Sequence, residues 1–263
     1  MAWLKGFTYD GIDSLDYDLY ITSGSVYDAP ERVVDMIKVP GRNGNLAIDQ
    51  GRFENIDVEY EVYTKNRLQT DFAQNIRDFR NELCSRHTYL ELTDDFNANE
   101  FRLGIYKSGL ELSAPIDRAG AIKLVFDCKP QRYLASGQVT QTFLADGSIT
   151  NPTLFASSPM LVVTGYGDLG IGTKTLTIEG DDPAQVIYID CDTMEAWTES
   201  GGVQTPANDM VQNAGDAFPT LAPGANGINL DVNMSQVVIT PRWWQLLFRF
   251  YTIMQSENSQ RTA

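Results

Sequence analysis

The chain has 263 residues, 43% of them hydrophobic and 21% charged, with 20 Lys+Arg against 35 Asp+Glu and a net charge of −15. This length suits one large domain or two medium ones, and the apolar content is that of a folded protein, not a disordered one. The acid surplus excludes a protein that grips duplex DNA by its phosphates, which takes a basic surface, and it opposes adhesion to anionic membranes.

Taken in chain order, the opening Met1–Gly6 lacks a signal peptide's apolar core. No apolar run approaches the ~20 residues that span a bilayer, so a protein made and kept in the cytosol is expected. Arg32–Val39 is β-prone and ends at Pro40-Gly41. The stretch PGRNGNLAIDQGRFEN that follows is punctuated by Gly41, Gly44 and Gly51 and reads as a loop. Next comes the cleanest alternation in the chain. Ile56, Val58, Tyr60 and Val62 share one face, and Asp57, Glu59, Glu61 and Tyr63 the other. Period two with one charged face predicts a half-solvated antiparallel strand.

Leu68, Phe72, Ile76, Phe79 and Leu83 recur at helical spacing and predict an amphipathic helix packed on a sheet, with Asn66 and Gln69 placed for a capping box. Strands resume at Tyr89–Leu92, Phe101–Tyr106 and Ala121–Cys128, the last with Ile122, Leu124, Phe126 and Cys128 on one face. A boundary follows, where residues 129–160 turn poor in charge and rich in Ser, Thr, Gly and Pro. Residues 1–137 hold 16 Lys+Arg against 22 Asp+Glu, and residues 138–263 hold 4 against 13.

The second part alternates short β-prone pieces with turn-like segments. The pieces are Leu161–Thr164, Lys174–Glu179, Val186–Asp190, Ile228–Val232, Val237–Thr240 and Gln245–Ile253; the turns include GYGDLGIG, EGDDP and APGANG. Such a pattern predicts a β-sandwich or barrel-like module, ending in a polar, frayed terminus at residues 254–263. The chain as a whole reads as mainly β.

Catalytic signals are sparse. The single histidine, His87, follows the predicted helix beside Arg86, a structural or solvent-exposed setting. No nucleophile elbow, zinc-binding HExxH, phosphate-binding P-loop or dinucleotide fingerprint occurs. Gly165, Gly167, Gly170 and Gly172 precede no helical pattern, so they read as turn residues. Asp94-Asp95 and Asp181-Asp182 sit in turn-like contexts where Asp caps its own backbone. Three widely spaced cysteines, Cys84, Cys128 and Cys191, indicate neither a disulfide framework nor a zinc site, and read as buried thiols. No catalytic, metal or cofactor residue is expected. The aromatics Tyr166, Tyr188, Trp197 and Trp244 are candidates for a saccharide or partner surface. Trp243 and Trp244 are adjacent, so on a strand one faces the core and the other points outward. The residues alone favour a structural or binding protein over an enzyme.

Residues 39–63, VPGRNGNLAIDQGRFENIDVEYEVY, carry a specific resemblance. Pro40, Gly41, Arg42, Asn43, Gly44, Leu46, Gly51, Arg52, Glu54, Asn55 and Tyr60 are similar to the signature of the distal tail protein family of long-tailed siphophages. A second set continues the resemblance in order. It comprises Asn151-Pro152-Thr153 with Leu154-Phe155, Ile189-Asp190-Cys191 with Met194, Ala196 and Trp197, then Phe218–Leu221, Pro223-Gly224 and Ile239–Trp243. Trp197 stands where the family commonly has tyrosine.

The resemblance implies an N-terminal, ring-forming β-sandwich-like domain with one packed amphipathic helix over 1–137, and a C-terminal galectin-like β-sandwich over 138–263. It implies a homo-hexameric ring that joins the tail tube protein and the tape-measure protein end to a tail-associated lysin or receptor-binding protein. DNA would meet the protein only in transit through the channel, with no membrane partner and no cofactor. The location implied is the distal end of the virion tail, assembled in the host cytoplasm. Pro40, Gly41, Arg42, Asn43, Gly44, Gly51 and Arg52 become candidate ring-interface residues, with Arg42 and Arg52 suited to forked pairs with carboxylates. Two alternatives stand beside this: a carbohydrate-binding adhesin built on the second domain, and a glycoside hydrolase with an inconspicuous carboxylate pair.

Overall fold

A computed structural model describes residues 5–24, 28–64, 72–107, 111–116, 119–213 and 218–246. The expected capping box at Asn66 and Gln69, Leu68 of the helical stripe and the strand beyond Leu246 lie outside the described residues. The chain divides into two compact units, the first reaching Arg132 and the second running over Tyr133–Gln245. Both are mainly β.

The first unit contains β1 (Phe7–Tyr9), β2 (Ile12–Asp13), β3 (Leu19–Gly24), β4 (Arg32–Lys38), β5 (Asn45–Phe53), β6 (Ile56–Thr64), α1 (Phe72–Cys84), β7 (Leu90–Asp94), β8 (Glu100–Tyr106), β9 (Glu111–Ile116) and most of β10 (Ala119–Leu134). One curled sheet, ordered β2-β1-β7-β8-β10-β6-β3 with β9 also on β10, forms its body. The alternation of β6 is realised as expected. Val58, Tyr60 and Val62 are buried, and the strand lies antiparallel to both β3 and β10. Ile122, Leu124, Phe126 and Cys128 of β10 join them in one core.

Helix α1 closes this core with the predicted stripe. Ile76, Phe79 and Leu83 are buried, and the Phe79 ring meets Phe7 edge-on at 6.2 Å and Tyr17 at 5.2 Å. A lone helix of this length is marginal in water, so its stability comes from this packing.

The stretch expected as a loop after Pro40 is instead half of a hairpin. Residues Asn45–Phe53 form β5, antiparallel to β4 in a two-stranded sheet of their own. Its alternation, with Leu46 and Ile48 on one face, was masked by the glycines. Gly41 and Gly44 stand at φ +76° and +82° in the reversal, and Gly51 at +70° next to a register shift in the ladder. Glycine enters this region without steric cost.

The second unit holds β11 (Gln141–Phe143), β12 (Gly147–Asn151), β13 (Met160–Gly165), β14 (Gly167–Ile171), β15 (Lys174–Ile178), β16 (Val186–Asp190), β17 (Glu195–Ser200), β18 (Val203–Pro206), β19 (Val211–Asn213), β20 (Gly224–Leu230), β21 (Met234–Thr240) and β22 (Trp244–Gln245). Two sheets, β11-β21-β13-β16-β17-β18 and β12-β20-β14-β15-β19, face each other across one core. Leu161, Val163, Ile187, Ile189, Val237 and Ile239 point inward from the first sheet, and Ile149, Leu169, Ile171, Leu176, Ile178 and Ile228 from the second.

Two expected turns are strands. GYGDLGIG contains β14, whose Leu169 and Ile171 are fully buried, and APGANG opens β20. Gly165 is needed for close approach: a Cβ there would fall 2.2 Å from the Asn233 carbonyl oxygen. Gly165, Gly167 and Gly170 thus lie at strand positions, while Gly172 stands in the turn between β14 and β15 at φ +59°, as expected. Cys84 corrects the expectation of buried thiols, since it is exposed at the end of α1, while Cys128 and Cys191 are buried.

Phe79 sits at the centre of the contact between helix and sheet. Replacing it with Ala should lower unfolding free energy by about 3–5 kcal/mol in urea titration, the range for an aromatic removed from a closed core.

Candidate functional site

The candidate interface residues cluster on the β4–β5 hairpin. Pro40–Gly44 form its exposed tip, and Gly51 and Arg52 lie in β5 toward its base. Cross-strand register places Ile37 opposite Leu46, Asp35 opposite Ile48, and Met36 opposite Ala47. The first two pairs share one face, and the third lies on the other. Met36 is 62% exposed, Ile37 47%, Leu46 44% and Ile48 42%, so both faces present apolar side chains to water. The motif included Leu46, but Met36, Ile37 and Ile48 were missed. The signal that reveals them is apolar alternation on both sides of the Pro40–Gly44 turn.

Polar contacts hold the hairpin's shape. Arg32 makes a forked pair with Asp49, donating from Nε at 3.0 Å and also from Nη2, and Gln50 donates to Asp35. The Arg32 hydrogen bonds, helped by the Gly51 N–H, hold the Asp49 carboxyl below its ordinary range. Arg52 pairs with Glu54 of its own hairpin at 3.1 Å, while Arg42 stands exposed at the tip. At the root, Glu54 N–H donates to the Glu31 carbonyl at 2.9 Å, and buried Arg102 Nη2 reaches the Asp28 carbonyl at 3.5 Å. At the tip, the Arg42 N–H donates to the Val39 carbonyl at 3.3 Å.

The candidate aromatics of the second unit fall into separate groups. Tyr188 and Trp197 are direct cross-strand partners, stacked at 5.7 Å and 9°. The Trp197 indole N–H is buried with no hydrogen-bond partner among the described residues. Trp244 stacks on Phe155 at 4.5 Å instead, and its N–H donates to the Ala156 carbonyl at 2.8 Å. Tyr166 occupies the link between β13 and β14. Trp243 is buried in the core, so the adjacent tryptophans divide between inside and outside as expected.

The second set of motif residues builds a lock in this unit. Arg242 makes a two-pronged pair with Asp190, at 2.7 and 2.9 Å, from a backbone at φ +56°. Its N–H donates to the Gly137 carbonyl at 2.7 Å, and Leu134 N–H donates to the Trp243 carbonyl at 2.8 Å. Asn151 donates to the carbonyls of Phe155 and Leu221, both at 2.9 Å, and Ser157 Oγ donates to the Pro241 carbonyl at 2.7 Å. Burial pushes the Asp190 carboxyl up, but Arg242 and the N–H groups of Asp192 and Thr193 outweigh it and hold the group below the usual carboxylate range.

Groups capable of chemistry are occupied structurally or stand apart. Asp94 Oδ1 accepts from Phe96 and Asn97 N–H, Asp95 Oδ2 from Gly6 N–H, and Asp182 Oδ1 from Ala184 N–H. His87 is exposed. Burial pushes the thiols of Cys128 and Cys191 up to about 12. Among the described residues no group of three or more His, Cys, Asp or Glu is placed to hold a metal ion.

The fold is similar to that of solved phage adsorption-apparatus and baseplate proteins. The Dit protein of phage SPP1, described as a paradigm of the hub adsorption apparatus in phages infecting Gram-positive bacteria, matches 90% of this chain and 98% of its own length at a TM-score of 0.70 and 15% identity. Chains of the phage P2 baseplate, in its activated conformation with Ca or with Sr, match 90% of this chain at TM-scores of 0.54 and 0.52 and 9% identity. They are covered over 97% and 96% of their own lengths. At these identities the likeness is one of fold. No protein-family profile matches the sequence, and no curated protein matches it significantly.

The Asp190–Arg242 pair gives a pH-dependent test. Asp190→Ala should cost about 2–3 kcal/mol near neutral pH, the range for a hydrogen-bonded charged group. Because the folded-state carboxyl is held low, this contribution is complete above the ordinary value of about 3.9 and fades as pH falls through the lowered one. Denaturant titrations should therefore show the gap between wild type and variant constant from about pH 5 to 7 and closing below about pH 4.

Proposed function

We propose that this chain is a structural hub at the distal end of a siphophage tail. Six copies close a ring through the first unit, and the second unit is a galectin-like sandwich. The ring joins the tail tube protein and the tape-measure end to a lysin or receptor-binding protein. It is assembled in the host cytoplasm and carried in the virion, and it has no catalytic role. DNA passes only in transit, and the chain's surplus of acid keeps it from adhering. The observation that carries this reading is the fold likeness to the SPP1 hub protein, which extends over 90% of the chain and so includes both units.

The hairpin supplies the physical means. A ring needs a heterologous contact that closes, with a projecting surface on one copy and a receiving surface on the next. An arm with uncovered Met36, Ile37, Leu46 and Ile48 meets the first requirement. Arg42 at its tip is free to meet a carboxylate of the neighbouring copy.

Mass photometry of concentrated protein, alone and with its tail-tube neighbour, tests the proposal. Six copies of a 29.3 kDa chain give a closed species of about 176 kDa. Ile37→Glu combined with Leu46→Glu should leave the melting temperature within a few degrees, since both residues are exposed. It should raise the concentration at which rings half-form by about thirtyfold or more. Arg42→Ala should weaken assembly in the same direction. Rings that persist unchanged in the double variant would remove the arm from the interface, and a chain that stays solitary with its neighbour present would remove the hub.

A further inference from the structure

We propose that a cleft at one end of the second unit docks a basic, apolar segment of a different protein; this rests on the hub reading and gives the second unit a specific docking site. The cleft lies between two side-by-side connections that cross from one sheet to the other. Leu144–Asp146 joins β11 to β12, and Asp231–Asn233 joins β20 to β21. A hydrogen bond from Leu230 N–H to Asp146 Oδ1 at 2.9 Å ties them together. The space between is about 410 Å³, lined by Leu144, Asp146, Leu230, Asp231, Val232 and Met234.

Its composition is opposite to that of ordinary turns. Leu144 is 71% exposed and Val232 94%, each in a crossing where polar residues are the rule. Single exposed aliphatics are commonplace, but here two flank one concavity. Two carboxylates stand beside them. Asp146 Oδ1 accepts from Leu230 N–H, and Asp231 Oδ1 from the Asn233 N–H and Nδ2, which among the described residues leaves Oδ2 of each for a ligand.

Charge selects the occupant. Residues 133–245 carry two Lys+Arg, Lys174 and Arg242, against twelve Asp+Glu. Arg242 is committed to Asp190. The unit therefore repels its own copies and attracts a cationic chain. A Lys or Arg side chain satisfies both features of the cleft at once: its alkyl stem covers Leu144 and Val232 while its head group sits at the carboxylates. A neighbouring apolar side chain on the same segment fills the remaining volume.

A peptide array, tiled over the proteins encoded by the genes flanking this one and over this chain, should be probed with the full-length protein. Bound peptides should pair Lys or Arg with Leu, Ile or Phe, and their signal should fall steeply between ~50 and ~500 mM salt. Leu144→Ser with Val232→Ser, which strips the apolar flanks without adding charge, should weaken binding about tenfold or more. Asp146→Asn with Asp231→Asn, which keeps the backbone-capping oxygens, should weaken it about tenfold or more. Thermal melts of both variants should match wild type. A blank array, peptides without basic residues, binding indifferent to both variants, or capture of this chain's own 32–53 peptide alone would overturn the proposal. Ring formation by the same variants reports on the hub reading separately: rings with a blank array defeat only the docking site, and bound peptides without rings defeat only the hub.

Discussion

A two-stranded hairpin is marginally stable in water at best, and it holds its shape only when something covers it. The β4–β5 arm presents this difficulty acutely, because apolar side chains emerge on both of its faces and, among the described residues, its two strands pair with no third. Local polar contacts fix its base, through Arg32 with Asp49 and Arg102 with the Asp28 carbonyl. They do nothing for Met36, Ile37, Leu46 and Ile48. Each is already about half buried, so covering the rest is worth about 1 kcal/mol apiece, and a surface that takes in all four still gains a driving force. The remaining described residues of the first unit, by contrast, form a curled sheet, one α-helix and a core in which Phe79 is fully buried.

The second unit divides its labour differently. Its interior is an ordinary sandwich core of alternating aliphatics, and one polar lock fastens its strand ends. Asp190 with Arg242, Asn151 with the Phe155 and Leu221 carbonyls, and Ser157 with the Pro241 carbonyl come from widely separated parts of the sequence. Residues that look like a functional signature are thus chiefly ones that hold the fold. Exposed apolar side chains lie elsewhere, at the crossings between sheets where Leu144 and Val232 stand in water.

Strands with clean period-two patterns were legible because one face is wet. β6 and the first part of β10 show this, with Asp57, Glu59 and Glu61 opposite Val58, Tyr60 and Val62. The helix was legible from Ile76, Phe79 and Leu83. Strands containing glycine were not: β5 carries Gly51 and β14 carries Gly167 and Gly170, and a residue type that usually marks turns concealed Leu46, Ile48, Leu169 and Ile171. Short edge strands such as β11 and β18 hold too few residues for any period to emerge. The exposed apolar arm was partly legible, since the Pro40–Gly44 motif lies at the turn of the hairpin that carries it. The exposure of Met36 and Ile37 depends on what the rest of the fold leaves uncovered, and no local pattern encodes that.

Hydrogen exchange at the arm measures the central claim directly, because exchange reports how often those amides open to water. In dilute, unassembled protein, amides of residues 32–53 should exchange near the fast limit while those of β6 and β10 stay protected. On assembly with the tail-tube neighbour, the same arm amides should slow by at least about a hundredfold. Equal exchange in both states, with rings present, would show that the arm remains in solvent and that another surface joins the copies.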